Sequence, residues 1–507
     1  MTQAQALKIL KTGANVFLTG EPGSGKTFVT NQYTQYLKTH KVGVAVTAST
    51  GIAATHIGGM TVHSWSGIGI KRNLSEYDVD RITANERIAK RVERTSVLII
   101  DEVSMLSGEL LNGIDRICRE VKRSREPFGG IQIIFVGDFF QLPPVSEIGK
   151  PGSQFAFQSI AWGNLKPIVC YLSEQHRQED DMFLDILTAL RKNKILEIHK
   201  ENLRKRCQQT PAFSRRTMTK LFSHNEDVDN LNQAELERLF GEPKHYDMLF
   251  SGKEFLVKQL KKGCLSPERL SVKKDALVMF TKNSPKGEFV NGTLGTVIGF
   301  AQKSNFPIVR TKKGRKVEVE MMDWTIEENN KIIAKISQVP LRLAWAITVH
   351  KSQGMSLDSA YIDLREAFVE GQGYVALSRV RSLSGIYLEG WNDMALRVHA
   401  EVLARDVEFR TESDDAKRIF EKLTPGEITK MHQNFIIARG GSQDSKTYSI
   451  EKIRDEHPNA YKGWRKEEDE SLMAYFQKGN NTKTISNIMG RRPGAIRSRL
   501  AKLGLVK

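Results

Sequence analysis

An apolar run, NVFLT (15–19), leads straight into GEPGSGKT (20–27), and a helix-forming stretch follows. The octet fits G-x-x-x-x-G-K-[ST] in the setting that gives the pattern its meaning, a strand before it and a helix after it. Gly20, Gly23 and Gly25 let backbone N–H groups turn toward phosphate oxygens, and the helix N-terminus favours the anion. Lys26 is expected to reach the β- and γ-phosphates of a nucleotide, and Thr27 to ligate Mg²⁺.

Three further runs, VGVAVTA (42–48), SVLIID (96–101) and IQIIFVGD (131–138), are apolar throughout and end in small or polar residues. Strands of this kind separated by helices indicate a parallel sheet covered on both faces, a doubly wound α/β domain over residues 1–170. LIIDEVSM (98–105) places Asp101 at a strand end, where it can hold Mg²⁺ through water. Beside it, Glu102 can polarise an attacking water as general base. Together with the phosphate loop, this pair implies ATP hydrolysis.

The rest of the chain divides by pattern. A polar segment at about 67–94 reads as an insertion off the first sheet. A second α/β pattern covers 171–269 and 341–404, interrupted at 270–340 by short alternating strands that read as a small antiparallel barrel. Residues 405–445 read as a polar helical linker and 446–507 as a separate three-helix tail. With 507 residues there is ample chain for several domains. No apolar stretch approaches the roughly 18 residues of a membrane span. The start, MTQAQALKIL, lacks a basic region before an apolar core, so the expectation is a cytoplasmic protein. Cys118, Cys170, Cys207 and Cys264 are scattered without a CxxC pair, which argues against a zinc site or a disulfide framework. A formal charge of +17 favours a polyanionic partner.

Seven stretches then occur in a telling order: TASTGIAA (47–54), TVHSW (61–65), IIDEVSM, GDFFQLPPV (137–145), LSEQHRQ (172–178), TVHKSQGMSLD (348–358) and YVALSRV (374–380). The set resembles superfamily-1 class B DNA helicases, most closely the PIF (petite integration frequency) type, relatives of the RecD-like group. The resemblance runs to about residue 388. It implies two RecA-like domains with ATP and Mg²⁺ between them, and Arg177 and Arg379 as arginine fingers. Gln3, with Gln5 as the alternative, resembles the adenine-reading glutamine. In GDFFQLPPV, Asp138 and Gln141 are implied to face the γ-phosphate, with Gln141 as its sensor or water-orienting amide. Pro143 and Pro144 would fix the loop's exit, while Phe139 and Phe140 could face the bound strand or the core.

The same resemblance implies single-stranded DNA held without sequence reading. The candidates are Thr47, Ser49, Thr50 and Gly51, then Thr61 and His63 with Trp65 beside them. On the second domain they are Asn291 with Gly292, and His350, Lys351, Ser352 and Gln353. It further implies 5′→3′ movement, a wedge at 67–94, fork or duplex DNA as substrate, and a monomer in solution. Outside this match, the tail resembles Myb-like or helix-turn-helix modules, with Arg491, Arg492, Arg497 and Arg499 as candidate phosphate contacts. Two competing readings stand beside the helicase: an RNA-directed translocase, and a nucleotide-gated DNA-binding regulator working through the tail.

Overall fold

The computed structural model describes the chain except residues 58, 70–73, 145–153, 174–179, 208, 210–218, 223–227, 312–313, 329–330, 350–351, 353–356, 443–456, 461–463, 465, 504 and 506–507. Arg177, His350, Lys351 and Gln353 therefore lie outside the described residues. The chain forms two compact units, Met1–Ser442 and Gln443–Lys507.

In the first unit, β1 (Val16–Gly20), β2 (Val44–Ala48), β3 (Met60–Thr61), β4 (Val97–Asp101), β5 (Gln132–Val136) and β6 (Ile168–Leu172) form one sheet in the order β3-β2-β4-β5-β1-β6. Every pairing in it is parallel. The strands are apolar throughout because both faces are covered. Phe17, Leu98, Ile100, Ile133 and Phe135 enter one core, and Val16, Leu18, Val97, Ile99 and Ile134 enter the opposite one. The strand Ile168–Leu172 pairs with β1, so the first sheet extends just past the expected boundary at 170.

A second parallel sheet is built from Ala346–Thr348, Lys220–Phe222, Ala360–Leu364 and Ile386–Trp391, in that order. Between its first two strands in sequence lie antiparallel strands occupying the place of the expected barrel. They begin at Lys244 rather than 270 and run to Leu343, in sheets of five, three and two strands. The expected insertion at 67–94 includes two short helices, Glu76–Thr83 and Glu86–Arg94, capped by Ser75 and Asn85.

The expected linker at 405–445 is instead part of the core. Helix Ala400–Glu421 brings Phe409 within 5.0 Å of the Phe17 ring, and helix Pro425–Ala438 brings Phe435 and Ile436 into the opposite core. A Cβ on Gly13 would lie 2.2 Å from the Phe435 ring, so that glycine is required by the docking of this helix.

The second unit holds three helices, Lys466–Gln477, Thr482–Met489 and Pro493–Lys502. They close on Leu472, Ile485, Ile496 and Leu500, with Trp464 and Phe476 packed alongside.

Candidate active site

The phosphate loop has the conformation its glycines require. Gly23 and Gly25 sit at φ +90° and +89°, and Gly25 starts the helix Lys26–Thr39. Side chains here would fill the cradle: a Cβ on Gly20 would lie 2.7 Å from Leu172 O, and one on Gly25 2.1 Å from Gln3 Nε2. The Lys26 ammonium folds over the loop, donating to Gly20 O at 2.7 Å and Glu21 O at 3.1 Å. Burial lowers its pKa, with Arg191 adding to the effect and Asp138, Glu102 and Asp101 opposing it. Thr27 is exposed in the first turn. Ser24 is buried with its hydroxyl unpartnered among the described residues. A glycine-walled cradle, a lysine, an exposed threonine and a nearby acid pair fit a nucleoside triphosphate with Mg²⁺. Thr27 and Asp101 are the residues that could hold the metal.

Gln3, not Gln5, lies against this loop. Its Nε2 donates to Ser24 O at 3.1 Å, whereas Gln5 completes a capping box with Thr2 and donates to Glu421.

Behind the loop, β4 ends in the acid pair. Glu102 adopts φ +52°, ψ +47°, a left-handed conformation that costs a non-glycine residue about 1 kcal/mol or more. Its N–H donates to Asp101 Oδ1 at 2.8 Å, and its carbonyl accepts the Ser49 hydroxyl at 2.7 Å. Burial and the Asp101 charge push the Glu102 carboxyl up to about 7, with Arg379 and Lys26 opposing. A carboxylate poised there accepts a proton efficiently near neutral pH. Arg379, buried at the end of helix Gln372–Ser378, donates to Val375 O at 3.1 Å and Ser378 Oγ at 3.1 Å.

GDFFQ connects the two sheets. Asp138 Oδ1 accepts Phe140 N–H at 3.2 Å and Asp138 O accepts Gln141 N–H at 3.0 Å, which closes a tight turn after β5. Gln141 is buried. The alternative left open for the two phenylalanines resolves toward the core: Phe139 packs among Phe17, Phe157 and Trp162, and Phe140 lies edge-on to Tyr374. Gly371, at φ +84°, starts the helix carrying Tyr374 and Arg379, and its Cβ would fall 2.9 Å from Phe140 O. The turn thus presses directly on the second domain.

Sequence reading missed Arg191. It lies at the end of helix Asp181–Arg191, 3% exposed, with one guanidinium nitrogen bonded to Asp138 Oδ2 (2.7 Å) and Tyr374 OH (2.9 Å). Another nitrogen donates to Tyr171 OH at 2.7 Å, and the group lies over Phe140 at 4.1 Å. Arg410 and Asp406 extend the network through Tyr171. A signal was present: Arg191 continues the Phe183–Leu187 spacing of the buried face, where a solvated cation would not belong.

The strand-gripping candidates divide. Thr47 is fully buried with its hydroxyl on Ile99 O, and Ser352 is fully buried with its hydroxyl on Val349 O. Both therefore position backbone rather than present a surface, a correction to the expected contacts. Ser49 is likewise taken up by Glu102. Thr50 Oγ1 accepts Ala53 N–H, and a Cβ on Gly51 would lie 3.1 Å from Gly263 Cα, so that glycine serves helix packing. Thr61 caps its helix, and burial lowers the pKa of His63. Trp65 is core, 1% exposed. Asn291 and Gly292 stand in the turn between antiparallel strands, where Asn291 N–H meets Asn283 Oδ1. In the tail, Arg491 and Arg499 are bound internally to Glu468 and Asp469, a second correction. Arg492 stands at the N-cap position of the third helix without a side-chain capping bond, and Arg497 is exposed.

Comparison with known proteins gives one consistent picture. A family model described as "PIF1-like helicase" matches residues 2–200. The ATP-dependent DNA helicase Pif1 of Psychrobacter sp. (strain PRwf-1) is 41% identical over 502 residues, covering 87% of this chain and 76% of that protein. The ATP-dependent DNA helicase Pif1 of Bdellovibrio bacteriovorus is 36% identical, covering 79% and 90%. Among solved structures, Bacteroides sp Pif1 in complex with ADP-AlF4 superposes with a TM-score of 0.70 at 30% identity, over 81% of this chain and 97% of that one. Bacteroides Pif1 in complex with ADP-AlF3 and ssDNA gives 0.57 at 29%, over 81% and 97%.

Proposed function

The chain belongs to the PIF1-like helicase family, and from that premise we propose that it is an ATP-dependent DNA helicase driven from the cleft around Lys26, Glu102 and Arg379. The observation that carries the assignment of roles is the convergence of Lys26, Asp101 and Arg379 on the Glu102 carboxyl, close enough to act on its protonation. Bound ATP with Mg²⁺ supplies the phosphoryl group to be transferred. Lys26 exchanges the carbonyls of Gly20 and Glu21 for phosphate oxygens, and Gln3 borders the loop on the base side. Glu102 takes the proton of the attacking water. Arg379 supplies positive charge from the second domain, and Arg177 is its proposed companion.

The turn Asp138–Gln141 passes the nucleotide state to the second domain through Arg191, Gly371 and Tyr374. The proposed grip on single-stranded DNA involves Thr50, Thr61, His63 and Asn291, with His350, Lys351 and Gln353 as further candidates. We assign the insertion at about 67–94, with its helices Glu76–Thr83 and Glu86–Arg94, as the strand-separating wedge, movement as 5′→3′, and the working form as a monomer. Fork or duplex DNA is the substrate proposed, and the location is cytoplasmic and nucleoid-associated. Among the described residues, no helix is long and apolar enough to cross a membrane. A slow nucleotide-gated regulator would need neither the raised carboxyl of Glu102 nor a cation facing it.

The test is ATP turnover with and without single-stranded DNA. Lys26→Ala should abolish strand-stimulated hydrolysis while most strand binding remains, and normal turnover in this variant would refute the assignment. Substituting single-stranded RNA as the stimulating strand separates the RNA-directed reading.

A further inference from the structure

The tail separates its charges. Its first helix opens with Glu467, Glu468, Asp469 and Glu470, whereas from Lys478 to Lys507 the chain carries no Asp or Glu. Two of the acids are used inside the module. Glu468 receives Arg491 through Nε at 3.2 Å and a second nitrogen at 3.0 Å, and Asp469 receives Arg499 in a two-bond fork of 2.7 and 2.6 Å. Trp464 lies against both guanidinium groups, 4.2 and 5.5 Å from its ring. These two arginines fasten the acidic helix to the other two, whereas Lys478, Lys483, Arg497 and Lys502 are exposed.

On the third helix, Gly494, Arg497, Ser498, Ala501 and Lys502 are exposed, at spacings of three and four that place them on one face. The residues between the cations on that face are small. At the start of the second helix, Lys483 is also exposed beside the Asn481 cap. The connection between the two helices is held firmly. Gly490 sits at φ +60°, its carbonyl accepts Asn459 N–H at 2.8 Å, and Asn459 Nδ2 donates to Met489 O at 3.0 Å. Pro493 then begins the third helix with φ already set.

We propose that this face docks duplex DNA, with the third helix in the major groove and Arg497 and Lys502 on its phosphate walls. A helix about 10–12 Å across fits a groove about 12 Å wide, and small residues allow the close approach that groove entry needs. Lys483 meets the flanking backbone. Single-strand binding fits this face poorly, because stacking needs exposed aromatic rings, and among the described residues of the tail Trp464, Tyr475 and Phe476 pack against the module's own core. The site works without nucleotide and apart from the motor.

The experiment uses the full chain and blunt-ended duplex DNA, read by fluorescence anisotropy across a salt series without nucleotide. Replacing Arg497 and Lys502 together by Ala should weaken duplex binding on the order of tenfold and make the log–log salt slope shallower by about 2. Strand-stimulated ATPase should stay at the wild-type value. Unchanged duplex affinity overturns the proposal. An equal loss on single-stranded DNA overturns it too, since that is undirected charge. Duplex RNA, whose major groove is too narrow for a helix, should compete weakly, and equal competition also overturns groove docking.

Discussion

Arg191 carries a full charge at 3% exposure and stays there because Asp138, Tyr374 and Tyr171 take up its guanidinium. A buried ion pair of this kind is weak evidence for stability, and a registry or switching role explains it better. It joins the turn after β5 to the helix that presents Arg379. Tyr374→Phe deletes one of its bonds without opening a cavity. We expect ATPase within about threefold of wild type and a severalfold drop in base pairs unwound per ATP. Both quantities falling in proportion would reduce the residue to a structural role. Glu102 yields a pH prediction. With its carboxyl raised to about 7, kcat/KM for ATP should climb as pH rises through that value and then level. Arg379 holds that carboxyl down, so Arg379→Lys should preserve the profile better than Arg379→Ala, which should move the rise to higher pH. At this scale the motif residues Lys26, Asp101 and Glu102 were readable from spacing. Thr47 and Ser352 were not, because a hydroxyl turned inward onto a neighbouring carbonyl has the same sequence as one turned outward.

The elements of the first sheet were legible because each strand is apolar on both faces. The antiparallel insertion was placed too late because its first strand, Lys244–Asp247, is KHYD, polar and without alternation. The closing helices were misjudged for a related reason. Ala400–Glu421 is polar along most of its length, and one residue, Phe409, makes the ring contacts to Phe17, Phe139 and Trp162. Phe409→Ala should cost about 3–5 kcal/mol in denaturant unfolding of the motor unit. A change below about 1 kcal/mol would restore the linker reading. Gly371 is tied to its neighbour in the same way. Gly371→Ala forces a side chain at φ +84° against Phe140 O, and unwinding should fall further than nucleotide binding.

For the whole molecule, the family assignment came from seven ordered motifs, and its physical sense is a nucleotide cleft where residues from two parallel sheets meet. The excess charge of +17 pointed toward a polyanion without distinguishing motor from tail. The geometry distinguishes them: Lys26, Arg191 and Arg379 lie around the cleft's acids, while the tail pairs Glu468 and Asp469 with Arg491 and Arg499 and turns Arg497 and Lys502 outward. Movement along DNA needs the cleft to hydrolyse ATP and the Asp138–Arg191–Tyr374 junction to carry the change. The most direct measurement is unwinding of forked DNA, with either a 5′ or a 3′ single-stranded tail, by wild type and Glu102→Gln in ATP. Wild type should unwind the fork with the 5′ tail, and Glu102→Gln should bind nucleotide yet separate no strands. Unwinding by Glu102→Gln at the wild-type rate would contradict the account.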